Sequence, residues 1–264
     1  MAQPRFYIPE LAAGESPLPT DQDHHARHVL RMRDGDTAVA FNGRGLWVHG
    51  RLTLAKRSSS FVSEGELTQD SPPQPRLTVA AATPKADRAM QLVEQLSQLG
   101  VSRLVWIITD RSVTHPDADG GKMTRFRRLA IESAKQARRN FVMDIQPPVS
   151  LPDFLAAPGA GVTDFLWTKP DAQETLFHWA ADAARPQAAI TPLSGAKTMP
   201  ASADRAVDIT PAILTGPEGG WTDAETVLLS AHKNVHPIRL TPTILRIETA
   251  ATAAAAIICT AWQK

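Results

Sequence analysis

Thr68 to Arg76 reads TQDSPPQPR, three prolines among polar residues. Proline has no amide hydrogen to give to a sheet ladder, so this stretch interrupts regular pairing and marks a boundary between folding units. The chain changes character across it. Before it, TAVAFNGRGLWVHGRLTLA holds two β-rich runs around Asn42-Gly43, a strong hairpin dipeptide. An extended start at Phe6 to Ile8, a short helix over Asp23 to Arg33, the turn Asp34-Gly35-Asp36 and a strand over Phe61 to Leu67 complete what reads as a small barrel or sandwich. After it, strands and helices alternate. Strands are expected at Leu77 to Ala82, Val101 to Thr109, Asp164 to Thr168, Ala212 to Thr215 and Val235 to Leu240. Helices are expected at Arg88 to Leu99, Lys122 to Arg139, Gln173 to Ala184, Asp223 to Ala231 and Arg246 to Trp262. That order is α/β, and a mostly parallel sheet is its natural solution. The expected domains are 1–70 and 76–264, with a surface loop rich in Pro, Ala and Ser over 185–208.

Length and composition agree with two domains: 264 residues suit about that number. With 28 Lys+Arg against 27 Asp+Glu, a nucleic acid must be met by a local patch, because there is no global positive field. Cys259 is the only cysteine, which excludes an intramolecular disulfide and a multi-cysteine metal site and fits a reducing compartment. The start of the chain has no basic segment leading into an apolar one, and no apolar run approaches the length of a bilayer span. A soluble cytoplasmic protein is the expectation.

The stretch ILTGPEGGWTDAE, Ile213 to Glu225, places an apolar strand, a Gly-rich turn and a helix start within thirteen residues. Ligands of α/β sheets bind outside the carboxyl ends of strands, where this turn lies. Thr222 to Glu225 has the form of a capping box. The glycines lack the spacing of a dinucleotide fingerprint, and no Gly-Lys-Ser/Thr follows, so phosphate cradling is disfavoured. Glu218 would repel phosphate and favour a cationic or hydroxyl-rich ligand, which the glycines let the backbone approach closely.

The second unusual stretch is LTPTILRIETAATAAAAIICTAW, Leu240 to Trp262. Its helix of small residues can pack close to neighbouring elements or to a symmetric partner. Arg246 and Glu248 interrupt it, and each either pairs structurally or serves a ligand. Further upstream, Arg128, Lys135 and Arg139 fall at i, i+7 and i+11 of a predicted helix, while Phe126, Ala130, Ala134 and Ala137 face the other way. Such a stripe is either a solvated face or an RNA contact. Arg5, His28, Arg31 and Arg33 form a second basic patch. His24 and His28 are spaced to share one helix face, yet with no third ligand nearby no metal site is expected.

GPEGGWTDAE followed by LTPTILRIETAATAAAA resembles the C-terminal signature of the small-subunit ribosomal RNA methyltransferase E family, within the SPOUT (trefoil-knot) methyltransferases. HHARHVLRMRDGD, KADRAMQLVEQLSQLGVSRLVWIITDRSV and RRLAIESAKQARRN resemble the family's other motifs, in the family's order and over nearly the whole chain. The resemblance implies a PUA-like β-barrel, a knotted α/β domain, a homodimer and S-adenosylmethionine as methyl donor. The implied activity is methylation of uracil N3 in 16S ribosomal RNA near the decoding centre. Carried over by motif, Leu214, Gly216, Pro217, Glu218 and Gly219 form one cofactor loop, and Leu240, Pro242, Ile244, Leu245 and Thr249 the others. Arg246 is the implied electrostatic catalyst, with Glu218 orienting donor or base. Arg5, His28, Arg31, Arg33, Lys85, Arg128, Lys135 and Arg139 are the implied RNA contacts. The chain departs from the family at Gln95 and Gln98 for Lys and Glu, at Thr241 and Thr243 in the L-G-P-R-I-L-R loop, and at Lys135 and Arg138 in the E-Q-x-G-R helix. A factor that keeps this fold and binds RNA without catalysis is the alternative, separated from the enzyme by titration with the donor.

Overall fold

A computed structural model describes residues 3–55, 58–112, 116–118, 120–159, 161–184 and 209–262; the expected loop at 185–208 lies outside the described residues. The chain forms two compact units, Met1–Pro73 with Lys85–Leu104 and Pro116–Pro148, and Gln74–Pro84 with Val105–His115 and Val149–Lys264.

The first unit is built on strands β1 (Arg5–Tyr7), β2 (Glu15–Pro17), β3 (Thr37–Phe41), β4 (Leu46–Leu54), β5 (Ser59–Ser63) and β6 (Thr68–Gln69). They pair in the order β1-β3-β4-β5-β2, with β6 against β4. The hairpin expected at Asn42-Gly43 is present as β3 and β4, closed by Asn42 N–H to Leu46 O at 3.0 Å. The Asn42 side-chain oxygen accepts from both Arg44 N and Leu46 N, and Gly43 and Gly45 take positive φ. Phe6, Ile8, Ala26, Ala38, Ala40, Val48, Leu52 and Phe61 form the core of this unit.

The helix expected over Asp23 to Arg33 starts earlier and is irregular. It comprises α1 (Thr20–His24) and a turn of π-helix, His25–Val29, in which Leu30 N–H reaches His25 O at 2.9 Å. Arg31 then turns out of helical geometry at φ 53°. Helices α2 (Ala86–Leu99) and α3 (Gly121–Gln136) belong to the same unit. Gly100 ends α2 in the left-handed region, as a C-terminal glycine does. Helix α3 stops three residues before the expected Arg139, because Arg138 takes φ 55°.

A second sheet is formed by strands β7 (Thr78–Ala82), β8 (Arg103–Ile108), β9 (Asp144–Ser150), β10 (Asp164–Thr168), β11 (Pro211–Thr215) and β12 (Val235–Ile238), in the order β12-β10-β11-β7-β8-β9; all of it but Arg103–Leu104 of β8 and Asp144–Pro148 of β9 belongs to the second unit. The β12-β10, β10-β11 and β11-β7 pairs are parallel, as the α/β pattern requires. β9 is not legible as a strand in the sequence, because Pro147 and Pro148 remove two ladder donors; the sheet tolerates them at its edge. Helices α4 (Leu151–Ala156), α5 (Leu176–Ala183), α6 (Asp223–Ala231) and α7 (Ile247–Ala261) complete the unit. Ala80, Val105, Ile107, Phe154, Phe165, Trp167, Leu214 and Leu229 form its core. The small-residue helix α7 packs on β7, β11 and α5, burying Ala250, Ala251, Ala254, Ala255 and Ile258.

Candidate cofactor site

Because β7, β10, β11 and β12 run parallel, their carboxyl ends fall on one edge of the sheet. The register places Leu214 beside Trp167 and Ala80, and Trp167 beside Pro237. The Gly-rich turn after β11 and the Thr-Pro-Thr segment after β12 therefore leave the sheet on the same edge. β10 alone separates their strands, a spacing of about 10 Å. This brings Leu214, Gly216, Pro217, Glu218 and Gly219 to the same sheet edge as Leu240, Pro242, Ile244 and Leu245.

The turn is held from several sides. Gly220 N–H donates to Pro217 O at 2.9 Å, which places exposed Glu218 at the tip, and Gly220 adopts φ 72°. At Gly216 the requirement for glycine is steric: a Cβ there would lie 2.5 Å from Cε2 of Trp221, whose indole covers the backbone. Arg111, just beyond β8, donates to Gly219 O at 2.8 Å and to Trp221 O at 3.4 Å. Its stem lies 3.4 Å from where a Gly219 Cβ would be.

The capping box read from the sequence forms: the Thr222 hydroxyl accepts from Glu225 N, and the Glu225 carboxylate accepts from Thr222 N at 2.8 Å. Glu225 is 8% exposed and also accepts from Asp110 N at 2.9 Å, so one buried carboxylate ties the end of β8 to the start of α6. A buried carboxylate is tolerable only with such donors around it.

The second segment is open. The Thr241 hydroxyl donates to Thr243 O at 2.8 Å, and neither residue takes positive φ, so this chain path does not depend on the glycine of the family motif. Pro242 and Thr243 are exposed, Leu245 is half-buried, and Ile244 is 86% exposed. Arg246 caps α7 through its backbone, accepting from Ala250 N at 2.8 Å. Its exposed guanidinium has no hydrogen bond or ion pair among the described residues. Glu248 is instead buried in the first turn of α7, at 6% exposure, and Thr249 beside it is exposed.

Two buried hydroxyls test whether the edge suits a ligand. Thr83 Oγ1 and Thr215 Oγ1 have no hydrogen-bond partner among the described residues. Thr215 pairs with Ala81 in register, and Thr83 directly follows the end of β7, so both hydroxyls lie at the carboxyl edge of the sheet. Orphaned polar atoms beside a glycine turn and an open, partly apolar segment fit a ligand with both polar groups and an apolar body, as S-adenosylmethionine has. Sequence reasoning misses Arg111, Trp221, Thr83 and Thr215. Trp221 adjoins the motif, whereas Arg111 meets Gly219 across 108 positions and carries no local signal.

The expected RNA contacts all lie in the first unit and divide in two. His28, Arg31, Arg33, Lys85 and Arg128 are exposed. Lys135, in contrast, is a correction: its side chain is 8% exposed, with Nζ bonded to Gln22 Oε1 at 3.2 Å and Glu132 Oε1 at 3.0 Å and set over the Phe6 ring. Arg139 lies beyond α3 and donates to Ser97 O at 2.7 Å and Gly100 O at 3.2 Å. Arg5 bonds to Asn140 and stacks over Phe41, and burial followed by the charge of Arg138 holds its pKa below the usual arginine range. The helical stripe is therefore broken, since packing against β1 and α1 claims part of the face. His24 and His28 stack at 4.6 Å. Among the described residues no three metal-ligating side chains gather, and no helix is long and apolar enough to cross a membrane.

Known proteins resemble this chain over nearly its whole length. The profile of an RNA methyltransferase domain matches residues 71–259, and that of an RNA methyltransferase PUA domain matches 18–64. The ribosomal RNA small subunit methyltransferase E of Rickettsia conorii is 27% identical over 259 residues, covering 96% of this chain and 93% of its own. The protein of the same name from Synechocystis is 27% identical over 241 residues, 91% of this chain and 71% of its own. The crystal structure of that methyltransferase from Neisseria gonorrhoeae, bound to S-adenosyl methionine, superposes with a TM-score of 0.76 at 26% identity, covering 99% and 98% of the two chains.

Proposed function

The chain belongs to the RNA methyltransferase family, and we propose that it transfers a methyl group from S-adenosylmethionine to N3 of a uridine in 16S ribosomal RNA near the decoding centre. Relatives named for small-subunit ribosomal RNA methylation, one of them crystallised with the donor, support the reaction class. The observation that carries the reading to this chain is the pairing of the glycine turn with the Thr-Pro-Thr segment on one sheet edge, beside orphaned Thr83 and Thr215 hydroxyls. The same reading takes 1–70 as a PUA-like RNA-binding domain, 76–264 as a knotted SPOUT domain, the homodimer as the working form and the cytoplasm as its place.

When bound, the donor supplies an electrophilic methyl group on a sulfonium, so the protein has to align rather than activate it. Backbone groups of Gly216 to Gly219 and of Leu240 to Leu245 would hold the donor, and Trp221 keeps the turn in shape from behind. For N3 to accept the methyl group its proton has to leave the ring ahead of the methyl's arrival. The negative charge this leaves on the ring spreads toward O2 and O4. Arg246, uncommitted and next to the segment, is the group placed to stabilise it. Glu218 orients donor or base.

Mass-spectrometric mapping of ribosomal RNA from cells with and without this chain tests the reading: loss of one N3-methyluridine on deletion is expected, and an unchanged methylation map overturns it. Arg246→Ala should slow methylation on the order of a hundredfold with the fold intact. Wild-type rates in a folded Arg246→Ala protein would remove Arg246 from the mechanism.

A further inference from the structure

The first half of α3 concentrates charge in a way that folding does not explain. Lys122, Arg125, Arg127 and Arg128 are all exposed, and none of their side chains has a hydrogen bond or ion pair among the described residues. Lys122, Arg125 and Arg128 follow one another at i, i+3 spacing, where like charges repel. Lys122 stands in the first turn, where the partial positive charge of the helix N-terminus disfavours a cation, and that turn contains no acid. Helix α6 shows the opposite and locally favourable choice, with Asp223 and Glu225 in its first turn. The one acid on α3, Glu132, is bonded to Lys135 in the other half of the helix. A segment whose charges oppose its own helix is the mark of a surface selected for a partner.

We propose that the Lys122–Arg128 face of α3 docks the phosphodiester backbone of the substrate RNA, a proposal that rests on the RNA methyltransferase reading. It replaces the stripe through Lys135 and Arg139, whose groups are used within the protein. The three i, i+3 cations span about 9 Å of helix, and arginine's planar fork matches phosphate. The face presents charge to the backbone and no aromatic or amide group to bases, so it grips RNA without reading its sequence.

The test uses the full-length protein and a labelled in vitro transcript of the small-subunit ribosomal RNA. Lys122→Gln/Arg125→Gln/Arg128→Gln should bind that transcript roughly fivefold more weakly per lost contact near 0.1 M salt, and the slope of log K against log salt should fall by about 0.7 for each. Its melting temperature should be unchanged or higher, because repulsion at the helix start is relieved, and its affinity for S-adenosylmethionine should be unchanged. Arg125→Lys/Arg128→Lys should keep most of the binding and guards against a folding artefact in the neutral variant. An unaltered salt slope in the folded neutral variant overturns the docking face while leaving the methyltransferase reading intact. Failure of the parent protein to bind the transcript overturns both. Displacement of the transcript by an acidic polypeptide as readily as by unlabelled RNA assigns the face to an acidic protein instead and overturns the proposal.

Discussion

Gly216 and Arg138 show how single positions set the local geometry, for opposite reasons. Gly216 has no unusual backbone angle; what excludes a side chain is the indole of Trp221, 2.5 Å from where a Cβ would stand. Gly216→Ala should force the indole aside, costing about 1–3 kcal/mol of stability as overpacking does. It should also weaken donor binding, which chemical denaturation and calorimetric titration measure together. Arg138 is a non-glycine residue at φ 55°, at the position where the resembled family carries Gly. A left-handed conformation costs a residue with a Cβ roughly 1–2 kcal/mol, partly balanced by the greater freedom of glycine in the unfolded chain. Arg138→Gly should therefore stabilise the protein by up to about 1 kcal/mol, read from denaturant midpoints, and it also removes the charge that, after burial, lowers the pKa of Arg5. The Gly-Pro-Glu-Gly-Gly motif is plain in the sequence. Its clamp is not, because Arg111 and Asp110 arrive from another strand end and only the folded sheet brings them to Gly219 and Glu225.

Among the elements, the π turn carries a pH dependence. His25 is half-buried, and its pKa lies below the ordinary histidine value of 6.5 because burial, and then the charge of Lys135, oppose its protonation; Glu132 and Asp21 pull the other way, and His24 adds a last, smaller opposition. A depressed histidine pKa makes protonation favour the unfolded chain: the contribution to stability is complete above about 6.5 and is lost as pH falls from there through the lower folded value. Thermal melts from about pH 7.5 to about pH 5 should show this loss, and His25→Asn should flatten it; an equally steep profile in that variant would assign the effect elsewhere. The turn also shows where periodicity misleads. A continuous helix over Asp23 to Arg33 satisfies the pattern, yet an i+5 bond and a left-handed Arg31 replace its second half. Lys135 misleads in the same way: its i+7 spacing from Arg128 fits one helix face, but a face that packs on both sides can bury a cation that finds Gln22 and Glu132.

Across the whole molecule, donor binding should appear as stability. A ligand that binds only the folded state adds about 2.7 kcal/mol at a hundred times its Kd, so saturating S-adenosylmethionine should raise the melting temperature by several degrees. A folded protein with no shift would favour the factor that keeps the fold without catalysis. At this scale the contacts group α2 and α3 with the strands that precede the proline-rich stretch, although both follow it in the chain. Local pattern could not show this, because unit membership depends on which surfaces meet after folding. Hydrophobic spacing, turn residues and capping side chains act within a few positions, so the sequence by itself determined the α/β order, the hairpin at Asn42-Gly43, the capping box at Thr222 and the glycine turn at a strand end. The tertiary structure decided which strand ends share an edge, which cations are left for a partner and which are spent inside, since those depend on long-range packing and on the burial of charge that packing imposes.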